Sequence, residues 1–201
     1  KNYVSVDGVL FSKDMSALLV YPAGNECSTY IVPDSVTEIG NYAFYRCTSL
    51  SKVQLPNGLT KIGYDAFYCC ENLAEITIPD SVAEIGSYAF SGCTSLSKII
   101  LPKGLKEIAV GIFCNCSALE SISVPEGVTV IGDFAFTNCS DLKQVNLPSG
   151  LITIGSYRHS EGASFEGCSS LKEITIPDSV IMIENASFSG CSSLKEITIP
   201  D

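Results

Sequence analysis

The sequence predicts an α/β solenoid dominated by strand, with a parallel sheet on its concave face, short helical turns on its convex face and a β-hairpin cap at the N-terminus. Three observations carry this reading. Pro33, Pro56, Pro79, Pro102, Pro125, Pro148, Pro177 and Pro200 recur at intervals of 23 residues, except for one interval of 29 after Pro148. Cys47, Cys70, Cys93, Cys116 and Cys139 keep the same step, and Cys168 and Cys191 resume it after the long interval. Each proline closes a short apolar alternation. A period in the twenties marks stacked units that bury their apolar faces only against their neighbours.

The elements follow in chain order. Residues 1–26 form the cap: Val4 to Phe11, the turn-rich Ser12-Lys13-Asp14, then Leu18 to Pro22, expected as two strands of a hairpin that covers the first coil. Residues 27–201 are the repeats, continuous with the cap. Within one unit, Leu50-x-x-Val53-x-Leu55 has the two-residue period of a strand, and Pro56 stops it by removing a backbone donor. One such strand per coil gives a parallel sheet rising ~4.7–4.9 Å per step. A turn and a buried apolar residue follow, from Val36 to Val180, and three residues later stands isoleucine, from Ile39 to Ile183. A second short extended segment is expected there.

Glycine follows at Gly40, Gly63, Gly86, Gly132 and Gly155, where positive φ or close backbone approach would exclude a Cβ. Capping residues such as Asn41, Ser87 and Asp133 then precede an Ala-Phe pair, which reads as one turn of helix. The row Phe44, Phe67, Phe90, Phe113, Phe136, Phe165 and Phe188 is the core spine.

Ten cysteines invite a disulfide framework, but their register argues against one. The seven in step form a stacked row, and Cys27 fills a leucine slot, so these eight are expected as free core thiols acting as small hydrophobes. Cys69 and Cys114 lie two repeats apart and out of register, beyond the ~4.4–6.8 Å Cα range of a disulfide. A line of thiols also lacks the convergent geometry of a zinc site. No metal or cofactor is expected.

With 22 acidic against 12 basic side chains, the formal charge of −10 repels nucleic acid and anionic lipid. No apolar run approaches the ~20 residues of a membrane span. The chain opens at Lys1-Asn2-Tyr3 without a basic segment and apolar stretch, so an export signal is removed or was never there. It stops at Pro200-Asp201 just after a strand, an open edge expected to belong to a longer chain or to pair with another copy.

The unit Leu-x-x-[Ile/Val]-x-[Leu/Ile]-Pro-x-x-[Leu/Val]-x-x-Ile-Gly-x-x-Ala-Phe-x-x-Cys, complete from Leu73 to Cys93, resembles the BspA-type, or Treponema-type, leucine-rich repeat over residues 27–201. Asp7 to Pro22 is similar to a module that often precedes such repeats. Departures are local: Ala109 and Glu184 replace glycine, Ile112 replaces alanine, and Ser164 and Ser187 interrupt Ala-Phe. The resemblance implies an extracellular or cell-surface protein of host-associated bacteria or mucosal protists, linked to adhesion and host interaction. It offers no catalytic residues to carry over, and the chain is not expected to be an enzyme.

A protein partner, such as a host matrix or plasma protein, is therefore expected. The outward strand positions form two ladders, from Thr29 to Glu196 and from Ile31 to Thr198, small and mixed in charge and without the Trp, Tyr or Arg of typical hot spots. Tyr42, Tyr45, Tyr64, Tyr68 and Tyr88 on the convex and lateral side are the better candidates. The stretched interval holds Tyr157, Arg158, His159 and Glu161, a candidate recognition loop, since solenoid insertions map to loops on one face. His159 stands without a nucleophile motif or metal-ligand spacing. Three Asn-x-Ser strings, at Asn115, Asn138 and Asn185, fall on repeat positions and are weak glycosylation signals. The alternative to a binding module is a stalk or spacer within a longer surface protein.

Overall fold

The computed structural model describes residues 2–155 and 163–199. It is a stack of coils, each contributing two strands. Three-residue strands form the long row: Thr29–Ile31, Lys52–Gln54, Glu75–Thr77, Lys98–Ile100, Ser121–Ser123, Gln144–Asn146, Glu173–Thr175 and Glu196–Thr198. Two-residue strands form the short row, from Glu38–Ile39 to Met182–Ile183, each ending on the repeat's isoleucine. Pairing along both rows is parallel and in register, as in Thr29↔Lys52 and Ile39↔Ile62. In every long-row strand from Lys52–Gln54 to Glu173–Thr175 the middle residue is buried and its neighbours are exposed, so the outward ladders lie on solvent.

The expected helical turns are absent: no helix occurs among the described residues. The segment around Ala-Phe is instead a row of turns with left-handed residues on both sides of the pair. Tyr42 has φ 59° and Arg46 56°, Asp65 51° and Cys69 54°, Tyr88 56° and Gly92 72°. This spacing turns alternate amides outward along the stack. Tyr42, Phe44 and Arg46 donate their N–H to the carbonyls of Tyr64, Ala66 and Tyr68 in the next coil, while Ala43, Tyr45 and Cys47 bond back three residues. A left-handed residue every fourth position cannot propagate i→i−4 bonds, so the backbone satisfies its donors between coils.

The spine is as expected. The phenylalanine rings stack in series from Phe44 to Phe188 at centroid spacings of 4.8 to 6.0 Å. Beside it runs the thiol row, in which Cys70, Cys93 and Cys116 donate to the carbonyls of Phe44, Phe67 and Phe90 at 3.0, 3.2 and 3.1 Å. All ten cysteines are free, and the seven in step are buried. Cys27 departs from the expectation: it is exposed, because no coil packs outside the first leucine slot.

The cap also differs. It has three strands, Tyr3–Val6, Val9–Ser12 and Ala17–Val20, because Asp7 and Gly8, at φ 50° and 81°, close a tight turn of their own. The third strand pairs in parallel with Glu38–Ile39, so the cap extends the short row alone. The edge of the long row at Thr29–Ile31 is left open.

The repeat glycine serves close approach. A Cβ at Gly63 would lie 2.6 Å from the backbone nitrogen of Asn41, and Gly86 meets Tyr64 in the same way. Where Ala109 replaces it, the short row breaks: Glu84–Ile85 ends one sheet and Glu107–Ile108 begins another. Phe90 and Phe113, the rings at this junction, are also the widest spaced in the spine, at 6.0 Å.

Candidate functional site

The convex turns of the first two repeats gather four tyrosines. Tyr42 and Tyr64 meet edge to face at 4.7 Å, Tyr42 and Tyr45 at 5.7 Å, and Tyr45 stacks on Tyr68 at 5.2 Å. The coil step creates this patch, because Tyr45 and Tyr68 occupy the same repeat position in successive turns. Tyr42, Tyr45 and Tyr64 are exposed at 47%, 37% and 43%. A hydrogen bond to Tyr64 raises the Tyr42 phenol above its ordinary pKa. The Arg46 guanidinium carbon lies 5.6 Å from the Tyr45 ring centroid, a cation–π contact that adjacent numbering could have signalled. With Tyr68 on one side of Tyr45 and Arg46 over its ring, the patch offers ring edges and hydroxyls.

Tyr88 does not join this group. Its ring covers Gly111 in the following coil, where a Cβ would collide with it. Desolvation by burial raises its phenol, with the Cys114 thiol second. Tyr157, Arg158, His159 and Glu161 lie outside the described residues. Among the described residues, no group of three His, Cys, Asp or Glu side chains is placed to hold a metal ion.

The long-row face carries shallow grooves. One, of about 260 Å³, runs over Lys52, Gln54, Glu75, Thr77 and Lys98. Another, of about 650 Å³, runs over Gln144, Asn146, Glu173, Thr175 and Glu196. Its ion pairs, such as Lys52–Glu75 at 3.8 Å, link equivalent positions of adjacent coils and are exposed. Such pairs contribute ~0–1 kcal/mol each. Exposed Ile31 and Ile100 are the large apolar side chains of this face.

The buried thiols have no nucleophilic chemistry at neutral pH. Burial pushes the Cys47 thiol up to about 12 and holds Cys93, Cys116 and Cys139 well above the ordinary thiol range. No helix among the described residues is long and apolar enough to cross a membrane.

Comparison with known proteins agrees with this architecture. No curated protein sequence matches the chain. A leucine-rich repeat protein from Eubacterium ventriosum has 30% sequence identity and a TM-score of 0.84, aligned over 100% of this chain and 51% of that one. The leucine rich repeat protein of T. pallidum has 30% identity and a TM-score of 0.79, over 96% and 87%. The pneumococcal vaccine antigen PcpA has 26% identity and a TM-score of 0.64, over 100% of this chain and 48% of PcpA. The chain thus spans about half the length of the Eubacterium protein and of PcpA. The BspA type leucine rich repeat region matches in overlapping spans over residues 23–129, 60–161 and 106–201. With its coils, spine and thiol row in that register, the chain belongs to the BspA-type leucine-rich repeat family.

Proposed function

We propose that this chain is a non-enzymatic binding module of a bacterial surface protein, and that its partner docks on the tyrosine patch of Tyr42, Tyr45, Tyr64 and Tyr68. The observation that carries the reading is the exposure of three clustered tyrosines. The positive φ of Tyr42 recurs at Asp65, Tyr88, Gly111, Phe134 and Ala186, so that conformation belongs to the repeat, and the exposure of the rings is what sets the patch apart. Tyrosine supplies large contact area with little conformational entropy to lose, and interface hot spots are enriched in it.

Extracellular placement, adhesion to host matrix or plasma proteins, and a recognition role for Tyr157, Arg158, His159 and Glu161 belong to the same proposal. The spacer reading has one observation in its favour: two of the solved relatives, the Eubacterium protein and PcpA, are about twice as long, so the array can serve as a segment of a longer protein.

Binding of the purified chain to immobilised fibronectin, fibrinogen and laminin, measured by surface plasmon resonance, tests the proposal. Saturable binding to one of them is expected, with the double variant Tyr45→Ser/Tyr64→Ser losing about 30-fold in affinity, the equivalent of ~2 kcal/mol. Absence of saturable binding to all three supports the spacer. Binding that the variant retains places the contact elsewhere.

A further inference from the structure

The open edge of the long row carries a second inference, independent of the tyrosine patch. Thr29–Ile31 pairs on one side only, with Lys52–Gln54. The bonds from Lys52 N–H to the Ser28 carbonyl and from Val32 N–H to the Gln54 carbonyl fix which groups face the next coil. By alternation, Thr29 and Ile31 present their N–H and C=O groups to the opposite, open side. Ile31 is 68% exposed and Thr29 is exposed, so no described segment covers them.

Directly behind this edge lies an unusual polar atom. Tyr21 is 2% exposed, packed against Tyr30 at 4.8 Å and Phe44 at 5.2 Å, and its hydroxyl has no hydrogen-bond partner among the described residues. A buried hydroxyl without a partner costs ~1–3 kcal/mol. Among the described residues no other buried side-chain nitrogen or oxygen lacks a partner. Burial raises the Tyr21 and Tyr30 phenols above their ordinary pKa, with the Cys27 thiol the next cause for Tyr21 and the Tyr21 phenol the next for Tyr30. The exposed Glu26 precedes the strand and the exposed Asp34 follows it, so each end of the edge carries one carboxylate.

We propose that this edge receives an extended segment of a partner polypeptide, which adds a strand to Thr29–Ile31, supplies a hydrogen-bonding group to the Tyr21 hydroxyl and places a basic residue beside Glu26. Strand addition is a recurrent mode of peptide recognition, in which backbone bonds give affinity and alternate side chains give specificity. The segment that fits is uncharged where it covers Tyr30 and cationic at its end. Unblunted sheet edges of this kind pair readily, and the cap, which protects the short row, leaves this one available.

A synthetic peptide with the sequence of residues 50–56 is a suitable probe, since the other side of the strand accepts that sequence in register and it carries a lysine. It is titrated into the full chain, with amide exchange followed by NMR. Expected are saturable binding and slowed exchange at Thr29 and Ile31. Ile31→Lys, an edge charge at an exposed position, should abolish both without lowering the Tm. Tyr21→Phe should weaken binding about fivefold, again without lowering the Tm, since it removes only an unpartnered oxygen. Unchanged exchange at Thr29 and Ile31 in millimolar peptide, or parental affinity in both variants, would overturn the proposal.

Discussion

From Cys70 onward each thiol of the buried row donates to the carbonyl of a phenylalanine one coil back, for example Cys139 to Phe113 at 3.2 Å, and Cys47 donates to the Tyr21 carbonyl. Serine could make the same bond, but it would carry a more strongly hydrated oxygen into a core that has little other polarity. The arrangement sets a pH dependence. Burial raises these thiols above their ordinary pKa, so the unfolded chain loses its protons first. Their contribution to stability is complete below about pH 8.5 and declines above it, by ~1.4 kcal/mol per pH unit for each buried thiol still protonated in the fold. Urea midpoints should therefore fall steeply between pH 9 and pH 10.5, and less steeply in Cys93→Ala. Equal slopes would remove the thiols from the account. The left-handed positions give a second prediction at this scale. Ala186, exposed at φ 57°, occupies a place that Gly111 fills elsewhere. Ala186→Gly should stabilise by about 0.5–1 kcal/mol, read from urea melts, whereas the same change in an ordinary helix would destabilise. The register of the cysteines was legible in the sequence, but the exposure of Cys27 was not. A slot is a property of the repeat; burial also needs a neighbour.

At the scale of elements, both strand rows could be read from period and proline, and the turns were misread. Ala-Phe after a capping residue is a local helix signal, whereas alternate amides bonded to the next coil are a long-range solution with no local pattern of their own. The cap shows the opposite failure. Asp7-Gly8 is a strong turn signal inside what reads as one strand, and the structure spends it on an extra strand. The short row breaks at Ala109, whose Cβ stands where neighbouring coils have glycine, and the long row breaks at the same junction, between Lys98–Ile100 and Ser121–Ser123. Ala109→Gly should restore the bond from residue 109 to the Ile85 carbonyl, equivalent to that of Gly86 to Ile62 at 2.9 Å. Hydrogen exchange at residue 109 should then slow at least tenfold. Exchange at the parental rate would mean that Ile112, and not Ala109, holds the junction apart.

For the whole molecule, the phenylalanine spine joins the coils into one array. Phe90, fully buried between Phe67 and Phe113, is the test of it. Phe90→Ala should cost ~3–5 kcal/mol, seen as a lowered urea midpoint. The proposed docking surface was only partly legible: the tyrosines could be named, but the separation of Tyr88 from the other four depends on its ring covering Gly111 of the following coil. The edge behind Thr29–Ile31 was invisible, because an orphaned hydroxyl has no sequence signature. The most direct test of the central claim, a solenoid zipped by a row of free buried thiols, is thiol titration with Ellman's reagent in the absence of reductant. Native protein should react fast at Cys27 and slowly at half-buried Cys69 and Cys114, and denatured protein should yield all ten thiols. A denatured count near zero would contradict the claim, because it would mean that the row is joined by disulfides.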